Sequence, residues 1–375
     1  MSKYFKYITS VIIAVAILAS CNKDNSDEPN APCRRTILLY IVATNSLGSA
    51  GYDNQNLSDI ESAIKSNSMN GCWVVVYHTR ARMEPTLFEI QKNGNSVERK
   101  TLKTYSSSLG ISLTVERMRE VFADMAKYAP AREYELILWS HATAWAATIK
   151  KKPKKTFGDD NSKEMPIPEL AEAIPDGLFN TINFDACYMS TVEVAYEMRK
   201  DANYLIAAPT EVLGAGMPYS KVMPLYFANN LNPQEIAATV FNHYNAQTGN
   251  KRSCAIAVTK LSEMDALANA CRAIHATALP DPDISIMQYY NRQSSPFMVD
   301  FMQYYRLISS DILTYNKMKD IYDKAVIYKK ATPTYVTIVI EPDNFSGLST
   351  YMLGTSVAEN DEMYRTLAWY KDIIQ

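Results

Sequence analysis

Three stretches of the chain are largely apolar, Arg34–Thr44 (RRTILLYIVAT), Cys72–Thr79 (CWVVVYHT) and Tyr134–Ser140 (YELILWS), and a fourth, more polar one, Asn180–Ala186 (NTINFDA), reads as a strand with them. Their shortness and β-branched content predict buried strands. Between them the apolar positions recur at helical spacing. Leu57, Ile60, Ala63 and Ile64 share one face of Leu57–Ser66, and Leu113, Met118, Val121, Phe122, Met125 and Ala126 share one face of Ser112–Tyr128. The segment TLFEIQKNGNSVERKTL reads as a β-hairpin, because Lys92-Asn93-Gly94-Asn95 supplies the turn. A lysine-rich loop and a short helix separate the third and fourth strands, and Thr191–Lys200 reads as a helix. In the second half, helices over Pro233–Ala246 and Ser262–Ala278 flank a strand, SCAIAVT. A tyrosine-rich helical stretch follows from about Ile284 to Tyr328. Two late strands, TYVTIVI and LSTYML, precede a terminal helix over Asn360–Asp372. Strands alternating with helices predict βαβ units and a mostly parallel sheet with helices on both faces. No linker or repeat divides the body, so one α/β unit with a helical C-terminal elaboration is expected.

The first twenty residues are not part of that unit. Lys3 and Lys6 precede a short apolar run, VIIAVAILA, which is far below the ~20 residues of a membrane span and reads as a signal peptide. The run ends at Leu18-Ala19-Ser20-Cys21, which resembles a bacterial lipobox. That resemblance implies cleavage before Cys21 and lipidation of its thiol; the alternative is an ordinary signal peptide with a chance cysteine. Residues 21–34 are polar and proline-bearing and read as a flexible tether, leaving residues 35–375 as the folded domain. The expected location is the cell envelope, with a lipid anchor in the membrane.

The composition is globular, 47% hydrophobic and 21% charged, and the formal net charge of -2 gives no electrostatic footprint for nucleic acid. Six cysteines are present; lipidation of Cys21 leaves Cys33, Cys72, Cys187, Cys254 and Cys271, so at least one thiol is unpaired. With no CxxC, no HExxH and four histidines, no metal site is expected. No DxDxDG loop supports calcium, although a scattered oxygen site stays open.

Ligands of open α/β sheets bind beyond the carboxyl ends of the strands. His141 directly follows the strand YELILWS, and Cys187 directly follows NTINFDA. About one crossover separates them, so the two strands are candidate neighbours. A thiol of pKa ~8.5 needs a base or a local field to form thiolate, and a histidine of pKa ~6.5 can take that proton and later return one to a leaving amine. The helix expected near Thr191 adds free amides that favour negative charge. Taken singly, each residue also fits a structural role, a buried core cysteine or a hydrogen-bonded histidine. Asp185, two residues before Cys187, projects to the same side of an extended segment; it also fits a cap ahead of the next helix.

The segments LILWSHATAW and INFDACYMSTVEVAYEM resemble the two catalytic segments of the clostripain-like cysteine peptidases, of the wider caspase, legumain and gingipain group. AAPTEVLGAGMPY and the late FSGLSTYM…YRTLAWYKD are similar to further stretches of that family, so the resemblance runs from about Arg35 to the C-terminus. It implies a caspase-like sheet and a cysteine endopeptidase needing no cofactor and acting on peptide or protein substrates. Cys187 would be the nucleophile and His141 the general base and acid. The backbone N–H groups of Cys187 and Ala142 would serve the oxyanion. Asp185 would face the P1 side chain, favouring Arg or Lys.

The chain departs from the pattern at three positions. Ala142 and Ala144 stand where the family has glycine, in a chain with only 12 glycines. If that turn runs at positive φ, alanine strains it by ~1 kcal/mol or more. Ala215 stands where an acidic residue is common, and Glu211 is the nearby substitute. The run Lys150, Lys151, Lys152, Pro153, Lys154, Lys155 reads as a solvated loop, as a self-processing site, or as a patch for anionic lipid or glycan. A catalytically impaired lipoprotein of the same fold, acting as a peptide-binding or scaffold protein, is the alternative function.

Overall fold

Strand β1 (Cys33–Ala43) is inaccessible to solvent along most of its length, and its side chains alternate between two cores. Leu38, Tyr40 and Val42 face one and Ile37, Leu39 and Ile41 the other. That two-sided burial is why the sequence shows an unbroken apolar run. The structure is a computed structural model that describes residues 32–107, 111–144, 157–280, 282–292, 298–341, 344–355 and 358–375.

The strands that follow are β2 (Cys72–Arg80), β3 (Thr86–Asn93), β4 (Ser96–Thr104) and β5 (Ala131–Trp139). A small ribbon comes next, β6 (Phe157–Asp160) and β7 (Lys163–Met165). Then come β8 (Phe179–Asp185), β9 (Ala202–Ala207), β10 (Ala255–Lys260), β11 (Met298–Asp300) and β12 (Val326–Ala331). Nine of these form one sheet in the order β12-β10-β9-β8-β5-β1-β2-β3-β4. The centre, β9-β8-β5-β1-β2, is parallel; the pairs toward both edges are antiparallel.

Helices cover both faces. On one lie α2 (Tyr52–Ser66), α6 (Tyr219–Tyr226) and α7 (Pro233–Asn245), which bury Leu57, Ile60, Val222, Met223, Ile236 and Val240. On the other, α3 (Val115–Tyr128), α8 (Met264–His275), α9 (Phe301–Ile308) and α10 (Ile312–Ala325) bury Met118, Phe122, Leu267, Cys271, Tyr305 and Tyr322. Each such fully buried side chain contributes roughly 2 kcal/mol of transfer free energy. The expected α/β architecture is therefore present.

The details differ in several places. β1 begins at Cys33, inside the segment read as a tether. The strand β9 and the helix α6, with Pro224 in its interior, have no counterpart in the sequence reading. The tyrosine-rich stretch is not helical throughout: it holds β11, two helices and then β12, which rejoins the main sheet as an edge. TYVTIVI is a tight hairpin, Thr334–Tyr335 against Ile338–Val339, and of LSTYML only Ser349–Tyr351 is a strand, paired with β11 outside the main sheet. The terminal helix stops at Tyr364, and a separate turn spans Tyr370–Ile374.

Candidate active site

The register of the central strands sets the site. β5 and β8 are parallel neighbours whose last paired residues are Trp139 and Asp185. His141 and Cys187 each lie two residues beyond that pair, on strands about 4.8 Å apart. Both residues line one cleft of about 300 Å³, together with Asp185, Glu211, Gly216, Arg292 and Tyr335.

Cys187 is half-buried. The Val212 N–H donates to its Sγ at 3.2 Å. Burial pushes the thiol up to about 12; the Val212 N–H opposes that, while the charges of Glu211 and Asp185 add to it and Arg292 counteracts it. Cys187 therefore rests as a thiol. The helix after it, α5 (Val192–Glu197), starts five residues on and is capped by its own Thr191 hydroxyl. The donor that reaches the sulfur belongs to Val212, not to that helix.

His141 is half-buried, and burial pulls its pKa below the usual value, against an opposing pull from Asp159. Its Nε2 lies 2.8 Å from Ser46 Oγ. Ser46 begins a single helical turn, α1 (Ser46–Ser49), which three features fix in place. Asn45 caps it, with Oδ1 accepting from the Leu47 and Gly48 N–H groups. The Arg80 guanidinium donates to the Gly48 carbonyl at 2.8 Å. A Cβ on Gly48 would come within 1.8 Å of the Ala43 carbonyl oxygen, so only glycine lets the turn sit on the end of β1. The Asn45 amide also donates to Val42 O, Ser140 Oγ and Asp159 O, tying the end of β1 to the residue before His141. The sequence reading missed Asn45 and Ser46. An Asn-Ser pair ahead of Leu-Gly is a capping signal, yet nothing local in it points to a histidine 95 residues away.

The two alanines separate. Ala142 bridges Phe157, and the Gly158 N–H donates to the His141 carbonyl at 2.8 Å. That places Ala142 in the non-hydrogen-bonded position of the bridge, its own N–H turned away from Phe157. Its φ is not left-handed, whereas Ala144 has φ of 55°. The strain anticipated for the turn falls on Ala144 alone, at about 1 kcal/mol.

Asp185 is buried, with Oδ2 accepting from the Met217 N–H at 3.0 Å and the Tyr219 hydroxyl at 2.8 Å. Burial raises its pKa to about 6, and those two donors hold it from rising further. Gly216, at φ of 69°, packs directly on it; a Cβ there would meet Asp185 Oδ2 at 2.6 Å. The loop carrying Gly216 is anchored by Asn56, which accepts from Trp139 Nε1 at 2.9 Å and donates to the Ala215 carbonyl at 2.9 Å. Glu211 lines the same cleft, where its carboxylate pairs with the Arg292 guanidinium. Arg292 is a second cleft residue that the sequence reading did not find.

Cys33, Cys72, Cys187, Cys254 and Cys271 are all unpaired. Among the described residues no group of three or more His, Cys, Asp or Glu side chains is placed to hold a metal ion, and no helix is long and apolar enough to cross a membrane. Cys21 and Lys150, Lys151, Lys152, Lys154 and Lys155 lie outside the described residues.

The chain was compared with known proteins. Residues 39–365 match the model of the clostripain family. A secreted C11 cysteine protease from Bacteroides thetaiotaomicron, solved with an irreversible peptide inhibitor, is 31% identical at a TM-score of 0.78, over 91% of this chain and 99% of that one. An inactive zymogen C11 protease from Parabacteroides distasonis is also 31% identical, at a TM-score of 0.78, over 92% and 99% of the two chains. A second secreted C11 protease of B. thetaiotaomicron, "iotapain", shares the fold at a TM-score of 0.82 with 24% identity, over 92% and 99%. No curated protein matches. With the family model covering most of the chain and the histidine and cysteine arms on adjacent strand ends, the protein belongs to the clostripain family of cysteine peptidases.

Proposed function

We propose that the chain is an endopeptidase in which Cys187 and His141 form the catalytic dyad and a basic P1 side chain is preferred. The observation that carries this reading is the shared cleft: Cys187, His141 and Asp185 line it together, at the ends of two paired strands. Because burial disfavours both the thiolate and the imidazolium, the resting pair is neutral, and the proton moves as substrate binds. His141 takes the thiol proton while Sγ bonds to the scissile carbonyl carbon. The oxyanion that forms is met by the Cys187 and Ala142 N–H groups; the turned-away N–H of Ala142 in its bridge supports that role. His141 then protonates the amine, the C–N bond breaks, and water releases the acyl group by the reverse proton path. Asp185 accepts the P1 cation at the base of the cleft, with Glu211 at its side.

Three outlying features complete the proposal. Cys21 carries a lipid anchor on an exported chain, a reading helped by two structural relatives described as secreted. Self-cleavage falls in the lysine run at 150–155, a reading helped by the relative described as a zymogen. No cofactor takes part. Turnover of peptides ending in Lys, Arg or norleucine tests the core of the reading. Wild type is expected to cleave the basic peptides, with Cys187→Ala and His141→Ala each losing at least about 10³-fold. Tight peptide binding with no turnover by wild type would leave the non-catalytic alternative, which the strained Ala144 favours.

A further inference from the structure

The cleft holds a cation of its own. Arg292 Nε pairs with Glu211 Oε2, and both side chains are partly open to solvent, 41% and 27%. Burial, and next the charge of Glu211, push up the pKa of Tyr188, the residue that follows Cys187. Arg292 and Glu211 line the cleft with Cys187 and Asp185, so the ion pair stands where a substrate side chain would lie.

The charges in the cleft then have one reading. Asp185 and Glu211 are its two acids, and Ala215 supplies no third. Glu211 is neutralised by Arg292. Asp185 has Oδ2 committed to the Met217 N–H and the Tyr219 hydroxyl. A cationic P1 side chain therefore meets one partly committed carboxylate rather than two free ones. Arg292 sits 81 residues from Glu211 along the chain but is tethered beside it, so a substrate cation must displace a group at high local concentration. Its planar fork also matches a carboxylate better than a lysine ammonium does.

We infer that Arg292 is a specificity-determining residue: by pairing with Glu211 it withdraws the second acid from the P1 site and weakens discrimination between basic and neutral side chains. This rests on the peptidase reading of the cleft, but its test need not depend on turnover. Binding of two peptides differing only in P1, lysine or norleucine, is measured by calorimetry on the full chain carrying Cys187→Ala. Adding Arg292→Gln is expected to raise the lysine-over-norleucine affinity ratio about tenfold, the size of one charge-assisted hydrogen bond. Norleucine binding stays within about twofold, which also certifies the fold. Glu211→Gln alone leaves the Arg292 cation unpaired and lowers the ratio, and Glu211→Gln combined with Arg292→Gln cancels the gain. Arg292→Lys, which keeps the pair, stays near the parent ratio. An unchanged ratio in Arg292→Gln, or equal losses for both peptides, overturns the inference. Failure of the peptidase reading is seen separately, as absence of Cys187-dependent turnover in wild type.

Discussion

The two arms of the cleft are built differently. The arm after β8 is fastened by its main chain: the Tyr188 N–H donates to the Thr210 carbonyl at 2.8 Å, the Ser190 N–H to the Ala208 carbonyl at 3.0 Å, and the Ser349 N–H to the Ser190 carbonyl at 3.0 Å. The arm after β5 has one such bond, from the Gly158 N–H to the His141 carbonyl, and is otherwise fastened by side chains, through Asn45, Ser46 and Ser140. Each arm also contains a non-glycine residue in the left-handed region, Tyr188 at φ of 62° and Ala144 at φ of 55°. Tyr188 offsets its strain by packing its ring on the core, whereas Ala144 has no side chain beyond Cβ to do so. Cys187 is thus held mainly by bonds that survive single side-chain changes, whereas His141 depends more on side chains that such changes remove.

Removing the side-chain hub tests this contrast most strongly. Asn45→Ala deletes the cap of α1, the amide bond to the Val42 carbonyl and the two amide bonds that join the end of β1 to Ser140 and Asp159. The expected loss in kcat/KM is on the order of 10²-fold, from misplacement of His141 rather than loss of a reacting group. Thr210→Ala keeps the carbonyl that receives the Tyr188 N–H, so its effect stays within about threefold. Comparable losses at both positions, measured in one peptidase assay, would erase the distinction.

A smaller effect separates the two arms by pH. Asp185 takes up its proton near pH 6, and in the neutral form it no longer attracts a P1 cation. For a lysine substrate, kcat/KM should therefore fall as pH drops through about 6. For a norleucine substrate that carboxylate drops out, and the acid limb is set by His141 alone, whose pKa burial pulls below its ordinary value. Asp185→Asn should bring the two limbs together. Identical limbs in wild type would remove Asp185 from substrate recognition.

The smallest effect concerns backbone strain. Ala144→Gly relieves the left-handed alanine and should stabilise the fold by about 1 kcal/mol, read as a Tm rise of ~1–3 °C. Tyr188→Gly relieves a similar φ yet loses a packed ring, so its Tm should fall. A rise in both would mean that the Tyr188 ring contributes nothing to its arm.

What the sequence makes legible follows the same division. β1, β2, β5 and β8 are buried on both faces and announce themselves as apolar runs, and the two reactive residues directly follow two of them. β9 is hidden because its run is short, with only its last three residues apolar and buried in sequence. β12 is hidden because an edge strand carries Lys329 and Lys330, and its start continues the pattern of α10. Pro224 hides α6, since proline in a helix interior reads as a break. Within the cleft, Cys187, His141 and Asp185 are legible from their place at strand ends. Ser46 and Arg292 are not, because each meets its partner across 80 residues or more of chain, and such contacts leave no local periodicity.

The account turns on whether Cys187 and His141 act as one unit. The most direct test is intact-mass analysis after exposure to a peptide with a thiol-reactive group following a P1 lysine. The account predicts one adduct, mapped to Cys187, that is absent in Cys187→Ala and slowed at least about 10²-fold in His141→Ala. Adducts at Cys33 or other thiols, or labelling of Cys187 at an unchanged rate without His141, would contradict it.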